Sequence, residues 1–242
     1  MATLILPCAG KSSRYTDTIP KFLIKNPLHD NLSMVVCSIL GLPLKKFDTI
    51  QVVIREEHDL EYNASEQIFK DFEKIGYSEK LNIIKILNSK SASDTVSQCI
   101  SIDDTQGYIF IKDCDDYFTI SDIQPNEIAT ISLNDCGKVN ASNKSYIAKN
   151  DNDLVLNIVE KQVISSDFCC GLYSFRDAKK FVETYNALTT FGDESEIYIS
   201  HIVFKMILQG ETFKNRKAEN FIDWGTQEDW DDYIRKGHAG IL

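Results

Sequence analysis

Three stretches of this 242-residue sequence carry residue types that could do chemistry together. The first is "LPCAGKSSRYTDTIPKF", where Pro7, Cys8, Ala9, Gly10, Ser12 and Ser13 form a small-residue loop followed by Arg14 and Lys21. Main-chain N–H groups of such a loop can converge on an anion. A guanidinium binds phosphate oxygens two at a time, and an ammonium adds a point charge. Neither G-x-x-x-x-G-K-[ST] nor G-x-G-x-x-G is present, so the loop is of neither common phosphate-binding type. A plain surface loop with solvated cations is the competing reading. The second stretch is "KDCDDYF". Asp113, Asp115 and Asp116 repel one another unless a cation joins them, and Mg²⁺ takes one or two carboxylates alongside substrate phosphates. The competing reading is a polar turn. The third is "FIDWGTQEDW", where Asp223 would either complete a metal site by folding back or enter a helix that Thr226 could equally cap.

Two further stretches are weaker. Glu160 and Lys161 in "NIVEKQV" end a strand-like run, where Lys161 could hold a second phosphate or form a surface charge pair. Cys169, Cys170 and Gly171 in "FCCGLYSF" read as a packed strand with a glycine at a close approach.

The elements that must position these residues alternate through the first half. "TLILP" (3–7), "DTIQVVI" (48–54), "LNIIKIL" (81–87) and "GYIFIK" (107–112) are apolar runs expected of strands covered on both faces. Helical patterns lie between them, at 33–41 ending on Gly41, at 66–77 with Gly76 as the stop, and at 91–102 with a cap near Ser93 or Asp94. Four buried strands separated by helices imply a parallel, layered sheet with right-handed crossovers. In such a sheet ligands bind beyond the carboxyl ends of the strands, where the glycine loop and the aspartates fall. The second half is strand-rich, at 127–133, 144–149, 154–161 and 168–175. Helices follow at 176–188 and 194–210, then a strand-like "NFIDWG" and an amphipathic helix "EDWDDYIRK". No repeat, low-complexity run or linker divides the chain, so residues 1–242 read as one mixed-sheet domain.

Composition excludes several classes. The formal net charge of -10, with no basic tail or stripe, disfavours nucleic acid and anionic membrane as partners. The most apolar window, "MVVCSILGLPL", is interrupted by Gly41 and Pro43 and too short to span a bilayer. No signal-peptide pattern opens the chain. Seven cysteines, none spaced C-x-x-C, read as reduced and mostly buried thiols. A cytoplasmic location follows, and a homo-oligomer is compatible with the sequence.

Taken together, these stretches resemble the nucleotidylyltransferase family with a glycosyltransferase-A-like fold. "LPCAGKSSR" and "PKFL" are similar to its L-x-x-A-G-x-G-x-R and P-K motifs, with Ser12 at the second glycine. "KDCDDYF" is similar to its strand-end aspartate, "VEKQVISSDFCCGLYSF" to its E-K pair and G-L-Y strand, "SEIYIS" to its acidic helix start at Glu196, and "DWGTQEDW" to its closing D-x-G-T. The matches run in order from residue 3 to 230. The resemblance implies a Rossmann-like three-layer α/β/α mixed sheet, with an NTP-binding half at 1–120 and an acceptor-binding half at 121–242. It also implies that these residues include no appended β-helical acyltransferase domain. It implies transfer of NMP from an NTP to a phosphorylated small molecule, a sugar phosphate or phospho-alcohol, with Mg²⁺ and release of pyrophosphate, in a role such as cell-surface polysaccharide precursor synthesis. Arg14 and Lys21 would be catalytic, and Pro7 to Gly10, Ser12 and Ser13 would bind the nucleotide. "SASDTVSQCI" resembles the cytidylyltransferase segment R-x-D-S-V, adding Asp94 and Thr95 near base or ribose and a lean towards CTP. Asp113 or Asp115 with Asp223 would hold the metal, and Glu160, Lys161, Gly171 and Glu196 would face the acceptor. A glycosyltransferase of the same fold, a non-catalytic nucleotide-binding relative, or an α/β domain with unrelated chemistry are the alternatives.

Overall fold

The computed structural model describes residues 1–10, 15, 19–137, 139–190 and 196–237. The chain begins with β1 (Ala2–Pro7), a small ribbon of β2 (Lys25–Asn26) and β3 (Leu32–Ser33), and a one-turn α1 (Met34–Cys37). Then come β4 (Thr49–Arg55), α2 (Glu56–Tyr62), α3 (Ala64–Lys74), β5 (Leu81–Ile86), α4 (Ala92–Asp103) and β6 (Tyr108–Lys112). The strand-rich half holds β7 (Asp116–Thr119), β8 (Glu127–Ser132), β9 (Ser145–Lys149), β10 (Val155–Glu160) and β11 (Asp167–Phe175). It closes with α5 (Ala178–Thr190), α6 (Ile199–Leu208), β12 (Lys214–Lys217), β13 (Glu219–Asp223) and α7 (Gln227–Lys236).

One nine-stranded sheet runs in the order β10-β9-β11-β6-β1-β4-β5, with β8 pairing β11 and carrying β12 at its side. The four predicted apolar runs are its parallel part: β1 lies between β4 and β6, and β5 follows β4. β11 joins this part to the rest by pairing antiparallel with β6 through Leu172–Phe175 and with β8 through Asp167–Cys169. Alternation along the strands explains why the runs are continuously apolar. Leu4, Leu6 and Phe110 pack on one face with residues of α1, α3 and α7, while Ile5, Ile109 and Ile111 pack on the other with residues of α4, α5 and α6. Both faces are covered, which gives three layers, α/β/α, as expected.

The differences from the sequence reading are local. The helix expected over 33–41 is α-helical only to Cys37. Gly41 does not stop it but allows a close approach: a Cβ there would lie 2.0 Å from the Phe118 carbonyl oxygen. α4 is capped by Ser91, whose hydroxyl accepts from the Asp94 N–H at 3.1 Å, rather than by Ser93 or Asp94. α6 begins at Ile199, so Glu196 precedes the helix; residues 191–195 lie outside the described residues. The cysteines at 8, 37, 99, 114, 169 and 170 are buried and all seven are free thiols.

Candidate active site

The carboxyl ends of β1 and β6 are neighbours, because those strands are paired in parallel. β1 delivers Pro7 to Gly10 to this edge. The loop is anchored twice from β4: the Cys8 N–H donates to the Val53 carbonyl at 2.8 Å, and Arg55 Nε donates to the Ala9 carbonyl at 2.8 Å. Lys21 sits on a short 3-10 turn after Pro20, with its ammonium 2.5 Å from Asp115 Oδ2. Ser12, Ser13 and Arg14 lie outside the described residues. Pro7 to Gly10, Lys21 and Thr95 line one cleft of about 810 Å³ together with Asp113 and Asp115.

β6 delivers the acidic turn. Carboxylate oxygens of Asp113, Asp115 and Asp116 lie within 4.8 Å of one another. The turn is held from below by Lys112, which has no exposed surface. Its ammonium donates to the carbonyls of Asp113 (2.7 Å) and Asp116 (3.2 Å) and to Asp116 Oδ1 (2.6 Å). It also lies 5.0 Å from the centre of the Phe118 ring. Burial pushes the Asp116 carboxyl up to about 7 against the pull of Lys112. Burial and then the charge of Asp115 push Asp113 up to about 6. Gly171 of β11 faces this turn at φ +83°, where a Cβ would stand 2.5 Å from Asp116 Oδ2. Only glycine combines that backbone conformation with so close a carboxylate.

Asp223 reaches the same place by a ribbon that sequence patterns did not show. β13 pairs with β7, placing Asp223 opposite Asp116, and the next residue, Trp224, donates its N–H to the Asp115 carbonyl at 2.9 Å. Thr226, not Asp223, caps α7, accepting from the Asp229 N–H at 3.2 Å. Tyr15 ties the glycine-loop segment to this corner by donating its hydroxyl to the Trp224 carbonyl. Burial, and next the charge of Asp115, raise the Tyr15 hydroxyl far above its usual range, so it stays a donor.

A smaller cavity of about 160 Å³ opens beside the first and shares Asp113, Asp115, Glu160 and Glu196 with it. Gly171 and Asp223 line it, together with Lys144, a residue the sequence reading passed over. Lys144 Nζ is 2.6 Å from Asp223 Oδ2, and the other Asp223 oxygen accepts from the Gly225 N–H at 3.0 Å. Burial disfavours the Lys144 charge, yet Asp223, Asp116 and Asp115 outweigh it and hold the ammonium above its usual range. Glu160 accepts from the hydroxyls of Ser145 and Ser200. Lys161, in the left-handed region at φ +56°, donates to the Tyr198 hydroxyl at 2.5 Å with its ammonium 4.3 Å from the ring centre.

All but four of the sequence-predicted site residues therefore gather on one sheet edge. Asp94 is the exception among the described ones. Its carboxylate accepts from the Lys90 N–H at 2.8 Å, from Gln98 at 3.1 Å and from Tyr185 at 3.0 Å, so it builds the entry to α4 instead of lining the cleft. Lys112, Lys144, Tyr15 and Tyr198 were missed, and Asp116 was named only as one of the clustered carboxylates. Lys112, Tyr15 and Tyr198 stand inside quoted strings but were given no role; Lys144 and the partners of Tyr15 and Tyr198 are brought together only by the fold. An all-oxygen donor set of this spacing fits a hard divalent cation such as Mg²⁺. Asp113, Asp115 and Asp116 have that spacing, and Asp223 lies opposite Asp116 on the paired strand.

Comparison with known proteins begins from structure. No family model matches the chain, and no curated protein matches it in sequence. Solved structures do match over nearly their whole length. A nucleoside-diphosphate-sugar pyrophosphorylase from Vibrio cholerae RC9 is similar at a TM-score of 0.76 and 18% identity, covering 96% of this chain and 99% of that one. An inositol-1-phosphate CTP transferase from T. maritima is similar at 0.71 and 14% identity, covering 100% and 97%. The CTP:phosphocholine cytidylyltransferase of Streptococcus pneumoniae is similar at 0.67 and 15% identity, covering 97% of each. The fold is thus that of the nucleotidylyltransferases, in agreement with the resemblance read from the motifs. Among the described residues no helix is long and apolar enough to cross a membrane.

Proposed function

We propose that this protein is a nucleotidylyltransferase, which moves NMP from an NTP to the phosphate of a small acceptor and releases pyrophosphate. The observation that carries the reading is the lineup on one edge: glycine loop and Lys21, then the carboxylates of Asp113 and Asp115, then Asp223 with Lys144 and Lys161. In an in-line phosphoryl-type displacement the protein's work is positioning and charge neutralisation. The two cavities meet at the acidic turn, so nucleotide and acceptor can both reach it. The NTP-binding part is residues 1–120, and the acceptor-binding part is 121–242.

The main-chain N–H groups around Ala9 and Gly10, with Ser12, Ser13 and Arg14, bind the leaving phosphates. Lys21 leaves Asp115 to neutralise charge on the α-phosphate as the transition state forms. Thr95 borders the nucleotide cleft, while Asp94 fixes the helix entry beneath it. Glu160, Glu196 and Gly171 shape the acceptor side, and Lys161 binds the acceptor phosphate. Asp113 or Asp115 with Asp223 would hold Mg²⁺, which would supply charge neutralisation there. CTP is the favoured nucleotide, on the likeness of the α4 entry to the cytidylyltransferase segment. The acceptor is a sugar phosphate or phospho-alcohol of the kind used for surface polysaccharide precursors.

A matrix of four NTPs against sugar phosphates and phospho-alcohols, read by pyrophosphate release, tests the reading. One productive pair, abolished by Lys21→Ala, is the expected result. Absence of NTP binding in the wild-type protein would sink it.

A further inference from the structure

Asp223 has a protein partner on both oxygens, the Lys144 ammonium at 2.6 Å and the Gly225 N–H at 3.0 Å. A divalent cation that takes Asp223 as a ligand must therefore compete with Lys144, since two cations cannot share one carboxylate lone pair without repulsion. The stem of Lys144 is fixed at its base. Its carbonyl accepts from the Lys161 N–H at 3.0 Å, directly beside the Ser145–Glu160 pair that opens the β9–β10 ladder. Lys144 and Lys161 thus rise from adjoining backbone positions. Lys144 lines the smaller cavity and Lys161 the larger, and Asn143, Glu160 and Tyr198 border both. An ammonium released from Asp223 stays, on its flexible four-carbon stem, near the residues that border both cavities.

We propose that Lys144 is a second acceptor-phosphate ligand, which trades Asp223 for the acceptor's phosphate when a divalent cation takes that carboxylate. The cation's arrival then prepares the acceptor subsite, with Lys144 and Lys161 on two sides of one phosphate dianion. The cation half of this inference stands on the ion pair alone; the phosphate half rests on the nucleotidyl-transfer reading.

The test compares wild type, Lys144→Met and Lys144→Arg. Mn²⁺ binding without nucleotide, followed by electron paramagnetic resonance, reads the competition. Lys144→Met is expected to bind Mn²⁺ roughly threefold to tenfold tighter, the size of one partly buried charge pair, and Lys144→Arg to stay near wild type. With the productive substrate pair, Lys144→Met is expected to raise the acceptor KM about tenfold or more while the NTP KM stays within about twofold. Unchanged or weaker Mn²⁺ binding in a folded Lys144→Met protein overturns the competition. Tighter Mn²⁺ binding with an unchanged acceptor KM overturns the phosphate role. Should Lys144→Met fail to fold, Lys144→Gln keeps much of the stem and serves in both assays. A wild type that binds Mn²⁺ but releases no pyrophosphate with any pair refutes the nucleotidyl-transfer reading instead, and the Mn²⁺ comparison still decides the first half.

Discussion

Lys112→Met is the sharpest test of how the acidic turn is built. Methionine keeps most of the stem volume, so packing changes little, but it removes three donated hydrogen bonds and the ammonium that pairs with Asp116. Breaking a buried ion pair by deleting one partner costs about 3–5 kcal/mol, because the other charge is stranded. Here Asp116 has an escape: it can take a proton. Its carboxyl is already raised to about 7 in the folded protein, well above the unfolded 3.8. A group raised in this way stabilises the fold fully below its unfolded value, and that contribution is lost as pH climbs through the folded one. In the variant, without Lys112, the carboxyl moves up further and stays protonated past pH 8. Between about pH 6 and pH 8 the wild type releases its Asp116 proton midway, whereas the variant keeps it. The extra bound proton, averaged over that interval, widens the stability gap by about 1.4 kcal/mol. Urea denaturation at both pH values, without divalent cation, measures this. The expected loss is about 3 kcal/mol or more at pH 8 and distinctly smaller at pH 6. A loss under about 1 kcal/mol at pH 8, or a gap that does not change with pH, would refute the reasoning.

Three other perturbations probe separate parts of the site. Lys21→Ala should cost about 3–4 kcal/mol of barrier, roughly 10²–10³ in kcat, with secondary structure unchanged by circular dichroism. Steady-state pyrophosphate release checks it, and a loss below about fivefold would remove Lys21 from the chemistry. Gly171→Ala places a Cβ 2.5 Å from Asp116 Oδ2 at φ +83°, so denaturation should show a loss of about 2 kcal/mol or more, with weakened Mn²⁺ binding. Ser91→Ala removes the cap of α4 and should lower Tm by roughly 2–4 °C for a loss of about 1 kcal/mol, measured by calorimetry.

The parallel strands were legible because both of their faces are covered: "TLILP" and "YIFIK" have nowhere to put a polar residue except at their ends. The same logic misled at 33–41. Buried apolar residues such as Met34, Val35, Val36 and Ile39 look helical, but the run is buried on all sides and its backbone leaves the helix after Cys37. The ribbon of β7 and β13 was half seen. "NFIDWG" looked extended, but "DYFT" carries no alternation, and their pairing is fixed by tertiary contacts around Trp224. α2, "EEHDLEY", is too polar to show a stripe and went unread. Most of the residues singled out in recognisable strings come together at one edge, including Asp223, whose place beside Asp115 depends on that ribbon. Lys144 was not singled out, because an isolated lysine becomes a site residue only through a carboxylate that folding brings to it; Lys112 was not, because a lysine at the end of an apolar strand reads as exposed while here it is fully buried beside Asp116. Asp94 shows the converse. Its string suggested a ligand contact, while Oδ2 accepts from the Lys90 N–H and the Gln98 amide and Oδ1 from the Tyr185 hydroxyl, so both oxygens are used in holding the α4 entry.

The bond from the Tyr15 hydroxyl to the Trp224 carbonyl joins residues 209 positions apart. Its consequence lies in time. During synthesis at roughly 5–20 residues per second, β1, β4 and β5 emerge and can pair early, so the loop that offers positive charge exists well before Asp223 is made. Closing so long a span adds little entropy cost over a span half its length, but such distant pairings form late. A growing chain therefore exposes a cationic notch with its acidic counterpart incomplete. Until the ribbon of β13 docks, the acidic corner lacks Asp223, the last carboxylate of the set to be made.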